Sequence, residues 1–293
     1  MVRPAEPREV AASLNCWQGT VDPQPVGGGI TNANFRVEDA GSSFFVRIGK
    51  DILHHGVMRF NEAAASRAAA AAGLAPEVVH EAPGALVLRF IDGKPLEASD
   101  LRRQATLARA LELVRRAHLE LPGHLRGPTL AFWVFHVVRD YAHRLGTDDS
   151  RLAGEAPRFF AAADTLERAV GPSETVFGHN DLLAANFLDD GKRLWLIDWE
   201  YAGWGSPLFD LGGLASNNGL DSAQEDWLIE SYFGHIDPAL RRSYEAMKCA
   251  SLLREALWSA ISEIHSTLDF DYPGYTTETL ARFDVAFAAF LRT

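Results

Sequence analysis

Residues 176–210 read VFGHNDLLAANFLDDGKRLWLIDWEYAGWGSPLFD, and they are the most informative stretch of the chain. Within them, His179, Asp181 and Asn186 form an H-x-D-x-x-x-x-N segment, and Asp198 ends an apolar run that is typical of a buried strand. A catalytic base requires a carboxylate beside the attacking hydroxyl, and a phosphate-bound Mg2+ requires oxygen ligands from further side chains. These four residues could supply both.

The spacing predicts a β-hairpin that brings these side chains together. Residues 194–197 have the composition of a short buried strand, and residues 189–192 (DDGK) are a turn signal that joins it to the preceding segment. Asp181 and Asn186 then project from one loop, and Asp198 projects from the next. Taken singly, such residues are typical of turns and helix N-caps, but their joint spacing favours a functional site.

This stretch resembles a known family. The segment from His179 to Asn186, followed by IDWEY at residues 197–201, is similar to the catalytic and metal-binding segments of choline/ethanolamine kinases, within the aminoglycoside phosphotransferase group of protein-kinase-like enzymes. The resemblance extends over residues 27–291. It implies that Asp181 is the catalytic base, that Asn186 and Asp198 bind Mg2+, and that His179 braces the loop.

The resemblance and the pattern of elements together predict the fold class. We expect an α+β, two-lobed, protein-kinase-like fold, with a small antiparallel sheet and one main helix in an N-terminal nucleotide-binding lobe at residues 1–92. A larger, mainly helical lobe at residues 93–293 would carry catalysis and substrate binding. His118, His136 and His143 fall in the predicted helices without the spacing of metal ligands, so we expect them to pack or to face solvent.

Composition and charge exclude several functions. The 293 residues include 28 Lys and Arg against 39 Asp and Glu, a formal net charge of -11, and no basic run offers a surface for nucleic acid. Cys16 and Cys249 suggest neither a disulfide framework nor a zinc site. No segment has the length and apolarity of a membrane span or a signal peptide. We expect a cytoplasmic protein, monomeric or homodimeric, without nucleic-acid or membrane partners.

The N-terminal third carries a candidate nucleotide site, which begins with a glycine-rich bend. Glycines let backbone amides close over phosphates, and neighbouring hydroxyl and amide side chains add donors, although a plain hairpin turn is the alternative. The candidates in this bend are Gly28, Gly29, Thr31, Asn32 and Asn34.

The strand that follows the bend contains Arg47 as its one internal charge. A charge in an apolar strand requires a partner, and Glu62 in the alanine-rich helix that begins near Arg59 is the predicted one. Kinase templates place such a pair on the nucleotide phosphates, whereas the alternative is an unrelated strand charge and a glutamate in the first turn of a helix. Arg89, Phe90 and Ile91 would then form the hinge whose backbone hydrogen-bonds adenine.

Acidic and aromatic residues after the hairpin predict how the acceptor is recognised. A cationic amino alcohol is attracted by carboxylates and by aromatic faces, although aromatic residues at helical spacing also pack in cores. The candidates are Asp181, Glu200, Trp204, Trp258, Tyr272 and Tyr275. By resemblance, Asp210 supports the catalytic loop, whereas simple helix capping is the alternative.

The predicted reaction is Mg-ATP-dependent transfer of the γ-phosphate to the hydroxyl of a small cationic amino alcohol. Choline and ethanolamine are the first candidates for this acceptor. Asp181 would accept the proton and Arg47 would contact the phosphates. Thiamine, an aminoglycoside or a sugar are alternative acceptors. A catalytically silent nucleotide-binding regulatory protein and a Mg-dependent phosphohydrolase are the alternatives from other classes.

Overall fold

The structure, a computed structural model, describes residues 6–27 and 32–292. The helices of this part are α1 Pro7–Ala12, α2 Arg59–Ala71, α3 Ala98–Leu101, α4 Gln104–His124, α5 Val134–Thr147, α6 Ala156–Val170, α7 Pro207–Asn218, α8 Ser222–Phe233, α9 Pro238–His265 and α10 Tyr272–Phe290. The strands are β1 Gln24–Pro25, β2 Ala33–Asp39, β3 Ser42–Ile48, β4 Val78–Ala82, β5 Ala85–Arg89, β6 Lys94–Pro95, β7 Val176–Gly178, β8 Phe187–Asp189, β9 Leu194–Leu196 and β10 Gly203–Gly205.

The N-terminal strands form a five-stranded antiparallel sheet in the order β1-β2-β3-β5-β4. Alternation along β2 buries Phe35 and Val37 and exposes Arg36, because successive side chains of a strand point to opposite faces. The buried residues of β2, β3 and β5 pack with Ala11 of α1 into a small core. This sheet is the predicted one, and it places Arg47 of β3 opposite Asn34 of β2.

Helix α2 connects this sheet to the rest of the molecule. It begins at Arg59, as predicted, and ends at Ala71, and Gly73 follows with a φ of 70°. Its buried alanines, among them Ala65 and Ala69, belong to the large core of the helical part rather than to the small core of the sheet. The short alanine side chain lets the helix approach its neighbours closely, so Glu62 is held on a firmly packed element.

The helical part is organised around α9, which packs against α5, α6, α7 and α10. Its core contains large side chains that are completely or almost completely buried, including Phe135, Tyr141, Phe159 and Trp199. Among residues 6–27 and 32–292, no helix combines the length and the apolarity needed to cross a membrane.

Two small sheets position the segment that carries the predicted chemistry. Strands β8 and β9 pair antiparallel with Phe187 opposite Leu196, and β6 adds to the edge of β8, so the predicted hairpin is confirmed. Strands β7 and β10 pair antiparallel with Gly178 opposite Gly203. The ends of both sheets meet at the loop that begins at His179 and at the segment that begins at Asp198.

Candidate active site

Asp210 fixes the backbone of the loop that contains Asp181. Its carboxylate accepts hydrogen bonds from the amides of His179 and Asn180, at 2.8 and 2.7 Å, and from Nε2 of His118 at 2.9 Å. Burial opposes ionisation of Asp210, but His118 and these amides outweigh it and lower the pKa of the carboxyl. The N-cap of α7 is Ser206, so Asp210 is free to brace the loop.

Gly178 is required by this brace. A Cβ at Gly178 would lie 2.8 Å from Oδ2 of Asp210, which is closer than a side-chain carbon approaches a non-bonded oxygen. The glycine therefore makes room for the carboxylate that holds the next two amides.

His179 joins the loop to the strand that leads to Asp198. Its buried ring donates from Nε2 to the carbonyl of Ile197 at 2.8 Å, and Nδ1 accepts from the amide of Asp181 at 3.3 Å. Burial lowers the pKa of His179, which favours the neutral tautomer that this pair of contacts requires. The ring also meets Trp199 edge to face. His179 therefore contacts the loop and the strand and not an open cleft.

Asp181, Asn186 and Asp198 are brought together by a short series of contacts. The side-chain nitrogen Nδ2 of Asn186 donates to the backbone carbonyl of Asp181 at 2.8 Å and lies 3.4 Å from Oδ2 of the Asp181 carboxylate. The amide of Ile197 donates to the carbonyl of Asn186 at 2.9 Å. Asp198 follows with a φ of 66°, a left-handed conformation that is uncommon for residues other than glycine.

The side-chain oxygens of Asn186 and Asp198 are ligands of the kind that Mg2+ prefers. The amide nitrogen of Asn186 is committed to Asp181, which leaves its oxygen for a cation beside the carboxylate of Asp198. In the described part of the chain no three His, Cys, Asp or Glu side chains could together hold a metal ion. A set of two oxygen donors still suits Mg2+, because this ion keeps several waters and takes substrate phosphates as ligands.

A buried cluster of charges adjoins Asp198. Nη1 of Arg47 contacts Glu62, lies 2.8 Å from Asp198 and lies 3.8 Å from Glu200. Burial opposes the charge on Arg47, but Asp198 and Glu62 outweigh it and raise the pKa of the guanidinium. Burial likewise opposes the charge on Asp198, yet Arg47 lowers the pKa of this carboxyl. Asp198 is therefore ionised and held in one orientation.

Arg59 is a second arginine in this cluster, and the sequence analysis assigned it no role. Its Nη1 lies 2.6 Å from Glu62 and 3.1 Å from Glu200, and its Nη2 donates to Oδ1 of Asn32 at 2.7 Å. Asn32 also donates to Glu200 at 3.2 Å. Gly49 permits this approach, because a Cβ there would lie 2.2 Å from Oδ1 of Asn32.

These contacts correct the prediction for Glu200. It is 6% exposed, and its carboxylate faces Arg59 and Asn32 instead of an open substrate pocket. Burial and the neighbouring Asp198 raise its pKa. Asn34 lies on β2 and is buried opposite Arg47 of β3. The predicted phosphate-binding residues Gly28, Gly29 and Thr31 lie outside the described residues.

The hinge at Arg89, Phe90 and Ile91 stays a prediction, and part of its backbone is bonded within the protein. The amide of Arg89 donates to the carbonyl of Glu77 at 2.9 Å, and the amide of Phe90 donates to Ser43 at 3.0 Å. Both amides are therefore used within the sheet and are not offered to an adenine. The carbonyl of Ile91 accepts from Gly93 at 3.0 Å. The sheet register, which local sequence does not reveal, occupies the two amides, whereas the bond of the Ile91 carbonyl lies in a turn outside the sheet.

The predicted aromatic residues lie in different places. Trp258 donates from its indole nitrogen to the hydroxyl of Tyr201 at 2.9 Å, and its ring meets Tyr272 edge to face. Both line a cavity of about 430 Å3 that also borders Asn32. Trp204 instead packs against Phe177 and donates to Thr129 at 2.9 Å, so its contacts give it a structural role and correct the prediction.

Arg254 and Glu255 are site residues that the sequence analysis missed. Nη1 of Arg254 lies 3.8 Å from Oδ1 of Asp181 and 3.1 Å from Glu255, whose other oxygen accepts from Tyr275 at 2.8 Å. Burial raises the pKa of Asp181 to about 7, although Arg254 opposes the rise. The sequence feature that could have revealed these two residues is a pair of charges within the apolar run LLREALW at residues 252–258.

Comparison with known proteins agrees with this site. The sequence pattern of the phosphotransferase enzyme family matches residues 22–248. A probable ethanolamine kinase of Arabidopsis thaliana is 28% identical over 85% of this chain and 75% of its own length. Protein LicA of Haemophilus influenzae is 26% identical over 88% of this chain and 97% of its own.

A solved structure narrows the assignment. The choline/ethanolamine kinase family protein of Mesorhizobium loti is 30% identical, with a TM-score of 0.76 over 97% of this chain and 96% of that one. The chain therefore belongs to the phosphotransferase enzyme family, and within it to the choline/ethanolamine kinase family. The predictions of family, of a kinase-like fold and of a phosphotransferase enzyme are confirmed.

Proposed function

We propose that this protein transfers the γ-phosphate of ATP to the hydroxyl of a small amino alcohol, with ethanolamine or choline as the acceptors to test first. The observation that carries the proposal is the continuous set of contacts from Glu62 through Arg47 to Asp198, beside the bonded pair Asp181 and Asn186. Phosphoryl transfer requires positioning and charge stabilisation, and these residues supply the parts for both.

Asp181 is the proposed catalytic base. Its side chain is 16% exposed, so an acceptor hydroxyl can reach it, and a pKa of about 7 lets it take up a proton near neutral pH. Asn186 and Asp198 would hold Mg2+, which neutralises charge on the phosphate oxygens when bound. His179 and Asp210 hold the loop in the geometry that these roles need.

The nucleotide is proposed to lie between an N-terminal lobe at residues 1–92 and a C-terminal lobe at residues 93–293. A narrow cavity at this level is lined on its apolar side by Leu86, Leu88 and Ile197, and on its polar side by Arg47 and Asp198. We assign the phosphates to the polar side, beside Arg47 and Asp198, and the adenine to the predicted hinge at Arg89, Phe90 and Ile91. The predicted phosphate-binding residues are Gly28, Gly29, Thr31, Asn32 and Asn34.

The ammonium group of the acceptor is proposed to lie toward Glu255 and the cavity bordered by Trp258 and Tyr272. Glu255 offers a carboxylate near Asp181, and aromatic faces attract a partly desolvated cation. Tyr275 orients that carboxylate through its hydroxyl. Glu200 is left out of this role because Arg59 already contacts it.

The test is ATP consumption with ethanolamine or choline by the wild type and by Asp181→Asn. We expect the variant to lower kcat by about 10²- to 10⁴-fold, the range for loss of a general base. Asp164→Asn is the control, because Asp164 carries the same charge on an exposed face of α6. Equal ATP consumption with and without acceptor would indicate a phosphohydrolase, and no consumption with any acceptor would indicate a regulatory module.

A further inference from the structure

Asn61 joins helix α2 to two backbone segments that are distant in the sequence. It is 1% exposed, and both polar atoms of its carboxamide are bonded to the backbone. Nδ2 donates to the carbonyl of Ala202 at 2.7 Å, and Oδ1 accepts from the amide of Leu130 at 2.9 Å. Moving the first turn of α2 would leave these buried groups unpaired, so the two bonds fix the position of that turn.

The carboxamide of Asn61 takes the place of one bond in a parallel ladder between β10 and the segment before α5. The amide of Phe132 donates to the carbonyl of Trp204 at 2.8 Å, and the amide of Trp204 donates to the carbonyl of Leu130 at 2.9 Å. The next bond of such a ladder would join the amide of Leu130 to the carbonyl of Ala202. These are the two groups that Asn61 contacts, so α2 is built into the ladder by a side chain.

A second buried asparagine takes the carbonyls on either side of Ala202. Nδ2 of Asn180 donates to the carbonyl of Tyr201 at 3.0 Å and lies 3.4 Å from the carbonyl oxygen of Gly203. Asn180 is 4% exposed and belongs to the loop that Asp210 braces. Three consecutive carbonyls are therefore bonded to two carboxamides that come from different parts of the fold.

Each of these asparagines directly precedes a residue of the site. Asn61 precedes Glu62, and Asn180 precedes Asp181. The backbone segment that both side chains hold begins three residues after Asp198. The base, the predicted metal ligand and the acidic residue of α2 are thus all located by one short piece of backbone.

The C-terminal end of α2 is held independently of Asn61. Nη2 of Arg116 donates to the carbonyl of Ala72 at 2.8 Å, and the amide of Leu196 donates to the carbonyl of Leu74 at 2.9 Å. Loss of the Asn61 carboxamide should therefore release the first turn of α2 and leave the rest of the helix in place.

We propose that Asn61 is a positioning residue for phosphoryl transfer, because its carboxamide sets where Glu62 lies relative to Asp198. Glu62 contacts Arg47, so the cation proposed for the phosphates is positioned through the same two bonds. The inference rests on the proposed function. Both polar atoms of Asn61 are bonded to the backbone, so this residue acts on the reaction through Glu62. Phosphoryl transfer depends on alignment, and a displacement of about 1 Å can lower a rate by about 10²-fold.

The test compares Asn61→Ala with Gln224→Ala, using ATP and the better acceptor of choline and ethanolamine. Gln224 is a matched control, because its carboxamide also accepts from one backbone amide, that of Asp221 at 3.1 Å, and donates to one backbone carbonyl, that of Arg102 at 2.6 Å. We expect Asn61→Ala to lower kcat about 10- to 100-fold with KM for the acceptor changed less than about threefold, and Gln224→Ala to change neither by more than about threefold. A kcat for Asn61→Ala as high as that of the control would overturn the inference.

A double-mutant cycle separates positioning from general damage to the fold. If Asn61 acts through Glu62, Asn61→Ala should lower kcat by less than about twofold in a Glu62→Gln background, since the residue that it positions is already impaired. Equal factors in the two backgrounds, or a Glu62→Gln variant as active as the wild type, would overturn the inference and leave the proposed function intact. Asn61→Ser, which keeps one polar atom, replaces Asn61→Ala in both measurements if the alanine variant does not fold. If the wild type phosphorylates no acceptor, the proposed function falls and the inference falls with it.

Discussion

Arg47 and Arg254 are both buried, at 8% and 4% exposure, yet they are paired very differently. Arg47 on the phosphate side contacts Glu62 and Asp198 and lies near Glu200. Arg254 on the acceptor side contacts Glu255 and leaves one edge of its guanidinium without a protein acceptor in the described residues. One nitrogen of Arg47 and two of Arg254 are buried without an acceptor in the described residues, so the two guanidinium groups differ mainly in the number and distance of the carboxylates around Nη1.

Arg47→Met should give the largest loss of stability. Removing this cation leaves Glu62 and Asp198 buried with Arg59 as the remaining nearby cation, and such an unbalanced cluster costs about 3–5 kcal/mol of unfolding free energy. Urea unfolding followed by tryptophan fluorescence measures the change. Arg67→Met is the control, since Arg67 pairs with Glu81 on the surface and should contribute little. A cost as small as that of the control would remove the contrast with Arg254.

Asp210→Asn should give the next largest effect. The substitution removes the charge that accepts from two backbone amides and from His118, which we expect to cost about 2–3 kcal/mol. Because these amides belong to the loop of Asp181, kcat should fall more than the affinity for nucleotide. Unfolding in urea and single-turnover kinetics report the two effects, and an unchanged kcat would show that the loop keeps its geometry without this carboxylate.

Tyr275→Phe should have a modest effect. It removes the hydroxyl that donates to Glu255, a partly buried contact worth about 1 kcal/mol. If Glu255 binds the acceptor, KM for the amino alcohol should rise while KM for ATP stays the same. A rise in KM for ATP alone would place Tyr275 and Glu255 outside the acceptor side. Tyr232→Phe, which removes a hydroxyl bonded to His118, serves as the comparison.

Arg254→Met should cost less stability than Arg47→Met and tests the contrast directly. The substitution removes the contact with Glu255 but also removes two buried donors that lack an acceptor, so we expect the unfolding free energy to fall by about 1 kcal/mol. The same urea experiment measures it beside Arg47→Met. A cost as large as that of Arg47→Met would mean that Arg254 is as fully compensated within the protein as Arg47.

Sequence predicted the local parts of the fold well. The hairpin follows from a turn signal between two apolar runs, and α2 follows from its alanines and the glycine after them. The contact between Arg47 and Glu62 follows from the cost of a charge in a buried strand. In each case the information lies in neighbouring residues or in one strong physical requirement.

The parts that sequence did not predict depend on distant pairing. Glu200 had the expected position for a substrate carboxylate, but its partner Arg59 is 141 residues away in the chain. The use of the Arg89 and Phe90 amides within the protein was also not predicted, because the sheet register cannot be read from local pattern. Arg254 was assigned no role, since only the packed structure shows that this position is buried.

The packing of α2 has a consequence for control of the enzyme. Ala65 and Ala69 are completely buried in the same core as the C-terminal helices, so an outward swing of α2 would open that core to water. In protein kinases, activity is switched by moving the equivalent helix and its glutamate. Here an outward movement of Glu62 would carry the cost of exposing these alanines, so we expect catalytic output to follow the supply of ATP and acceptor instead of an activating signal.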